Sequence, residues 1–393
     1  MGKLFADDFH DEFGTWPLAY IPYGGADYGE IAAVALAVGD GDDGAYYEAF
    51  MAAGDRLCSA ASDALGRGHR ASARESFLRA CCLYGTAYHP LYGRPVDPRL
   101  LAAFRMQMAA FDSALAIGEP RIEPMRIPFA GTTMPAYFIP AEGHAGETRP
   151  LLILTNGYDA VLTDMYFASA VAATRRGYHC LLFDGPGQGE MLIEQGVTMR
   201  PDWETVVAAV LDVAVGLPGV DPKKIALSGW SLGGYLALRA ATAEKRLAAC
   251  VADPGFMGMA APIPAMLEKL GASKARDLDA AIDLARLDRR LRWTIVQRGF
   301  WVLGVDSFSR FVAAAETYTL EGRLGGVACP TLLTAAENDP LARSAEAVCE
   351  ALGCPKTLLR FTAAEGAGEH CEMKNRSLVN RRVLDWLDER LGG

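Results

Sequence analysis

Short, largely apolar runs alternate with helical patterns through the last two-thirds of this chain. The runs are LLILTN (151–156), YHCLLFD (178–184), IALSGW (225–230), AACVAD (248–253), PTLLTAA (330–336) and KTLLRFT (356–362). A strand with one wet face alternates apolar and polar side chains, whereas a strand that is apolar throughout is buried on both faces. Such runs separated by helices predict a mostly parallel sheet covered on both sides, an α/β fold. Ahead of them, MRIPFAG and MPAYFIPA flank Gly131-Thr132-Thr133 and read as a β-hairpin.

The first 120 residues follow a different period. Apolar residues recur at steps of three and four in three sets: Tyr46 to Ala64, Ala73 to Ala87, and Leu101 to Leu115. Each set marks one buried stripe of a helix. Asp97-Pro98 supplies an N-cap with proline at the first helical position. The start, rich in aromatics (Trp16, Tyr20, Tyr23, Tyr28), reads as irregular. At 393 residues the chain is long for one domain, and the change of pattern near Glu119-Pro120 divides it. Residues 1–120 are expected to form a helical domain and residues 121–393 an α/β domain. The gap between Asp253 and Pro330 has helical stretches (AAIDLARLDRRLRWTIVQRGFWVLG and FSRFVAAAETYTL) and no clear strand. It predicts a helical cap inserted over the strand ends at about 256–322.

A net charge of −10 argues against nucleic acid or an anionic membrane as partner, since both favour a basic face. None of the nine cysteines forms a CxxC pair or a cluster with zinc spacing. The start lacks the apolar segment of a signal peptide, and no apolar run approaches transmembrane length. A soluble protein of a reducing, cytoplasmic compartment is expected.

Gly229-Trp230-Ser231-Leu232-Gly233 sits between the strand KIALSGW and the helical run GGYLALRAATA. This is the G-x-S-x-G nucleophile elbow in its strand–turn–helix context. Glycines are needed where strand and helix pass so close that a Cβ would clash. An α/β-hydrolase fold with Ser231 as nucleophile follows. That fold orders its triad serine, acid, histidine, and of six histidines only His370 follows Ser231. His370 lies between the last strand and the last helix, as the base should. For the acid, Asp339 in Glu337-Asn338-Asp339-Pro340 is preferred, with Glu337 as the alternative. The oxyanion hole is assigned to the backbone N–H of Leu232 and of Tyr158, in the loop after LLILTN. Asp253, Gly157 and Trp230 are candidate substrate-site residues.

Two glycine-rich stretches are set aside. Gly39-Asp-Gly-Asp-Asp-Gly44 follows no strand, and its aspartates would repel a pyrophosphate; it reads as a solvated loop. Asp184-Gly-Pro-Gly-Gln-Gly-Glu190 lacks dinucleotide spacing and reads as a tight loop at the rim of the site. No metal or organic cofactor is implied.

FDGPGQGE (183–190), GWSLGGYLALRAA (229–241), ENDP (337–340) and GAGEHC (366–371), together with GRGHRASARESFLRACCLYGTAYHP (66–90), carry a resemblance to one branch of the α/β-hydrolases. That branch contains the 2,6-dihydroxypseudooxynicotine hydrolase, the fermentation/respiration-switch-like esterases and fungal hydrolases that shorten polyketide chains. The resemblance implies hydrolysis of a small-molecule ketone (at a C–C bond) or ester, with aromatic and polyketide-like substrates both in scope, and a homodimer. A triad-dependent acyltransferase or cyclase that excludes water is the alternative. Trp16, Tyr20, Tyr23, Trp293 and Trp301 are expected to offer aromatic wall, the cap and helical domain enclosing the site; core packing is the competing role for each.

Overall fold

The computed structural model describes residues 3–269, 278–281, 283 and 287–392. Two compact units emerge: Met1–Pro124 with Tyr166–Ala168, and Met125–Met165 with Ser169–Gly393.

The first unit is helical: α1 (Asp8–Gly14), α2 (Tyr28–Val38), α3 (Asp43–Gly66), α4 (Arg70–Ala87) and α5 (Pro98–Ile117). The aromatic start, expected to be irregular, is helical as well. Asp7 caps α1, and Trp16–Tyr23 forms a 3₁₀ segment. Pro17, Pro22 and a three-residue repeat hide this region from a search at the α-helical period. Phe13, Trp16 and His89 pack ring against ring, and Tyr20 and Tyr23 are buried. The aspartates of Gly39–Gly44 are structural: Asp42 accepts the Ala45 N–H at 3.0 Å as the N-cap of α3, and Asp43 meets His10 Nε2 at 2.8 Å. Asp97 caps α5, with Pro98 at its first position. The expectation that no stretch reaches transmembrane length does not hold for α5. It is 20 residues long, and an 18-residue window of it reaches a mean hydropathy of 1.3, enough by length and composition to cross a membrane. Arg99, Arg105 and Asp112 interrupt its apolar runs, while its many alanines keep the average high. Half of that stretch is buried within the protein, as in a core helix.

The second unit holds an eight-stranded sheet: β1 (Met125–Phe129), β2 (Thr132–Ile139), β3 (Arg149–Thr155), β4 (His179–Phe183), β5 (Val220–Trp230), β6 (Ala249–Asp253), β7 (Thr331–Ala336) and β8 (Lys356–Phe361). Their order is β1-β2-β4-β3-β5-β6-β7-β8. β1 and β2 form the antiparallel hairpin, β2 lies antiparallel to β4, and all further pairs are parallel. β3, β4 and β6 are buried almost end to end, which explains their unbroken apolar sequences. From β3 the chain crosses to β4 on one side and β5 on the other, so the strand order reverses at that point. In open α/β sheets the crevice beyond the carboxyl ends at such a switch point is where ligands bind.

Between β6 and β7 the described residues carry helices at Ile263–Lys269, Leu278–Ala281, Arg289–Arg292, Phe300–Leu303 and Phe308–Glu316, with a π-helical segment at Trp293–Gly299. They share a small core of Leu287, Ile295, Phe308 and Phe311. The Gly258–Thr319 bridge closes the neck. The middle of the helical reading over AAIDLARLDRRLRW, at 282 and 284–286, lies outside the described residues.

Candidate active site

β5 ends at Trp230 and the helix Leu232–Ala243 begins one residue after Ser231, so the serine occupies the bend itself. Its φ of 60° lies in the left-handed region that side-chain-bearing residues avoid. The surroundings over-determine this strained bend. Ser231 N–H donates to the Asp253 carbonyl at 2.6 Å, and Gly234 N–H to the Ser231 carbonyl at 2.9 Å. A Cβ at Gly229 would stand 1.8 Å from the Gly233 carbonyl oxygen, and one at Gly233 2.6 Å from that of Thr155. Both motif glycines are therefore required by close approach.

β7 delivers Asp339 and β8 delivers His370 to the same edge. Ser231 Oγ lies 2.9 Å from His370 Nε2, and His370 Nδ1 lies 2.7 Å from Asp339 Oδ2. Asp339 Oδ1 accepts the Leu341 N–H at 2.9 Å, which fixes the carboxylate. The Asp339 side chain is 1% exposed and that of His370 39%. The acid is thus sealed from water while the imidazole faces an open side. Burial alone would lower the His370 pKa, but the hydrogen bond and charge of Asp339, helped by Asp253 and Asp159, outweigh it and hold the ring above the ordinary histidine value. Glu337, the alternative acid, is exposed and accepts the Ala363 N–H instead.

Gly157 follows β3 and rests against the elbow: a Cβ there would be 2.8 Å from Ser231 Cβ and 2.9 Å from Leu232 N. Among the described residues neither Leu232 N–H nor Tyr158 N–H has a hydrogen-bond partner. Leu232 opens the helix directly after Ser231, and Tyr158 follows the glycine that rests on the elbow; these are the positions from which this fold supplies its oxyanion donors. On its far side Tyr158 meets the insertion. Its carbonyl accepts from Arg298, whose guanidinium is buried near the Tyr158 and Trp301 rings and 3.4 Å from Asp159. Trp293 and Trp301 are both buried, Trp293 under the Arg290 guanidinium.

Asp253 and Trp230 lie next to the triad, Asp253 through its carbonyl on the Ser231 N–H, with their side chains turned to buried partners. Asp253 is buried with both carboxylate oxygens occupied, by Thr334 Oγ1 at 2.9 Å and Arg376 Nη1 at 2.9 Å. The Trp230 ring lies against the same Arg376, 5.6 Å from its centroid. Both belong to a buried cluster behind His370 that also includes Glu372, whose carboxyl burial and the Asp253 charge push well above the usual range. Arg376, six residues past His370 at the start of the last helix, offered no signal in the sequence. Replacing it with methionine leaves the Asp253 carboxylate buried without its cation. A loss of about 3–5 kcal/mol is expected, readable as a fall in the guanidinium unfolding midpoint. Among the described residues no group of three or more His, Cys, Asp or Glu side chains is arranged to hold a metal.

An α/β-hydrolase family model matches residues 151–379, over half of the chain. The chain belongs to the alpha/beta hydrolase family. This hydrolase is 33% identical over 424 residues to the hydrolase acrC of Aspergillus aculeatus, covering 99% of the chain and 98% of that protein. It is 29% identical over 411 residues to the 20-hydroxy-prefusarin hydrolase FUS2 of Gibberella moniliformis, at 99% and 98% coverage. Among solved structures, the 2,6-dihydroxy-pseudo-oxynicotine hydrolase superposes with a TM-score of 0.76 at 22% identity, over 95% of each chain. AbyA5 superposes at 0.69 with 19% identity, over 98% of this chain and 95% of its own. These likenesses run the whole length of this hydrolase, its helical unit included, and agree with the branch that the motifs point to.

Proposed function

We propose that this hydrolase is a serine hydrolase that cleaves an activated carbonyl substrate, a ketone at a C–C bond or an ester, through Ser231, His370 and Asp339. The relay of 2.9 Å and 2.7 Å from hydroxyl to imidazole to buried carboxylate carries the reading. Ser231 Oγ attacks the carbonyl carbon as its proton passes to His370 Nε2. The oxyanion that forms is held by the N–H groups of Leu232 and Tyr158. Asp339 keeps Nδ1 protonated and stabilises the imidazolium without taking the proton. When the tetrahedral centre collapses, the bond to the leaving group breaks, and His370 returns its proton to the departing alkoxide or carbanion. A carbanion leaves readily only if a neighbouring carbonyl delocalises its electron pair, so a 1,3-diketone is the natural C–C substrate. Water, deprotonated by His370, then splits the acyl-enzyme and regenerates Ser231.

Incubation with p-nitrophenyl acetate and with an aryl 1,3-diketone in heavy-oxygen water tests this. Hydrolysis must place one heavy oxygen in the carboxylate product. Acyl products without label would identify acyl transfer or cyclisation in its place.

A further inference from the structure

The loop Asp184–Glu190 has one side chain whose position the reaction does not explain by itself. Gln188 is completely buried, yet it points toward the loop after β3. Gly185 N–H donates to its Oε1 at 3.0 Å, and its Nε2 donates to the carbonyl oxygens of Asn156 at 2.6 Å and Gly157 at 3.2 Å. The partners leave no choice of amide orientation, because an N–H can only donate and the two carbonyls can only accept. The Gly157 carbonyl and the Tyr158 N–H belong to one peptide plane, and in a trans unit they point in opposite directions. Holding the carbonyl toward Gln188 therefore aims the Tyr158 N–H away from it. That N–H is the unpaired donor next to the elbow. The neighbouring units are fixed independently. Asn156 Nδ2 donates to Asp184 Oδ1 at 2.8 Å, and Arg298 takes the Tyr158 carbonyl on the next peptide.

We propose that Gln188 is a positioning residue that sets the rotation of the Gly157–Tyr158 peptide and so aims one of the two oxyanion donors. This rests on the serine-hydrolase reading above. It also accounts for the glycine-rich rim loop, whose tight turns bring a buried amide under the backbone of the oxyanion loop. Without the amide, the 157–158 unit loses its anchor while the Ser231–His370–Asp339 relay is untouched.

Gln188→Leu removes the donor at similar size. Removing an oxyanion donor outright costs about 100- to 1,000-fold in kcat, and disorienting one is expected to cost about 10- to 100-fold, with KM little changed. A trifluoromethyl ketone forms a hemiketal oxyanion on Ser231 and needs the same N–H, so its affinity should weaken by a similar factor. The acid limb of the pH profile reports His370 and should stay at its wild-type position. Gln188→Glu, which keeps the shape and the Oε1 acceptor, covers the case in which the leucine variant does not fold. Its protonated form can still donate to a carbonyl and its carboxylate cannot, so its kcat should fall as pH rises along a limb absent from wild type. Both variants holding kcat/KM within about threefold of wild type, or losing rate with unchanged trifluoromethyl ketone affinity, would overturn the assignment. With wild type active and Ser231→Ala inactive, either result speaks of Gln188 alone. A wild-type protein that hydrolyses neither substrate and leaves Ser231 unlabelled by a fluorophosphonate would bring down the underlying reading, and this inference with it.

Discussion

Alanine at position 231 is expected to lower kcat about 10,000- to 1,000,000-fold while leaving the protein folded. The Ser231 hydroxyl, the proposed nucleophile, has no substitute in the site, since Cys371, whose Sγ lies 3.5 Å from His370 Nε2, is buried and its pKa is pushed well up by desolvation and the nearby carboxylates. The substitution keeps every backbone contact at the bend. Residue 231 still donates to the Asp253 carbonyl, still accepts from Gly234 N–H, and still bears the cost of a φ of 60°. Only the hydroxyl bonded to His370 is lost, on a ring that already faces an open side, so stability should change by less than about 1 kcal/mol. Residual turnover would come from Leu232, Tyr158 and substrate binding. The measurement pairs p-nitrophenyl acetate kinetics and fluorophosphonate labelling with a thermal midpoint. Retention of activity within about tenfold of wild type would remove Ser231 from the mechanism.

The contrast between what could and could not be read from the sequence has a physical origin. Strands β3, β4, β6 and β7 were legible because burial on both faces leaves almost no polar position to confuse the pattern. The elbow was legible because two backbones approach within the radius of a methyl group, which only glycine permits. Asp339 and Glu337 were harder to separate. They are two residues apart on one turn, and only their directions distinguish them: one carboxylate is sealed against His370, and the other reaches out to the Ala363 N–H. The buried polar contacts around the site had no signature at all. Arg376 meets Asp253 across 123 positions and Gln188 meets Asn156 across 32, with no periodicity or fixed spacing. The 3₁₀ start escaped for a different reason, its period being three in a search for 3.6.

Asp339→Asn separates the electrostatic part of the proposed mechanism from its geometric part. Asparagine keeps an oxygen for the Leu341 N–H, but presents an amide donor to His370 Nδ1 where the carboxylate was an acceptor. The imidazole must then carry its proton on Nε2, facing Ser231 Oγ, the wrong tautomer for a base. A fall in kcat of about 10,000-fold is expected. The pH dependence should move as well, and its sign follows from the forces on the ring. In the wild type Asp339 outweighs the desolvation that would lower the His370 pKa, so the imidazolium persists to higher pH. The neutral base then appears, and kcat/KM rises, through a pKa above the ordinary value of about 6.5. In the variant desolvation dominates, and the limb should move to lower pH. Stability follows the same linkage. A pKa raised on folding contributes stability that is fully present below the unfolded value of about 6.5 and is lost as pH rises through the folded value. The variant's deficit relative to wild type should therefore be larger at pH about 5.5 than at pH about 8.5. A limb that stays in place while kcat collapses would mean that Asp339 only orients the ring and contributes no charge stabilisation to it.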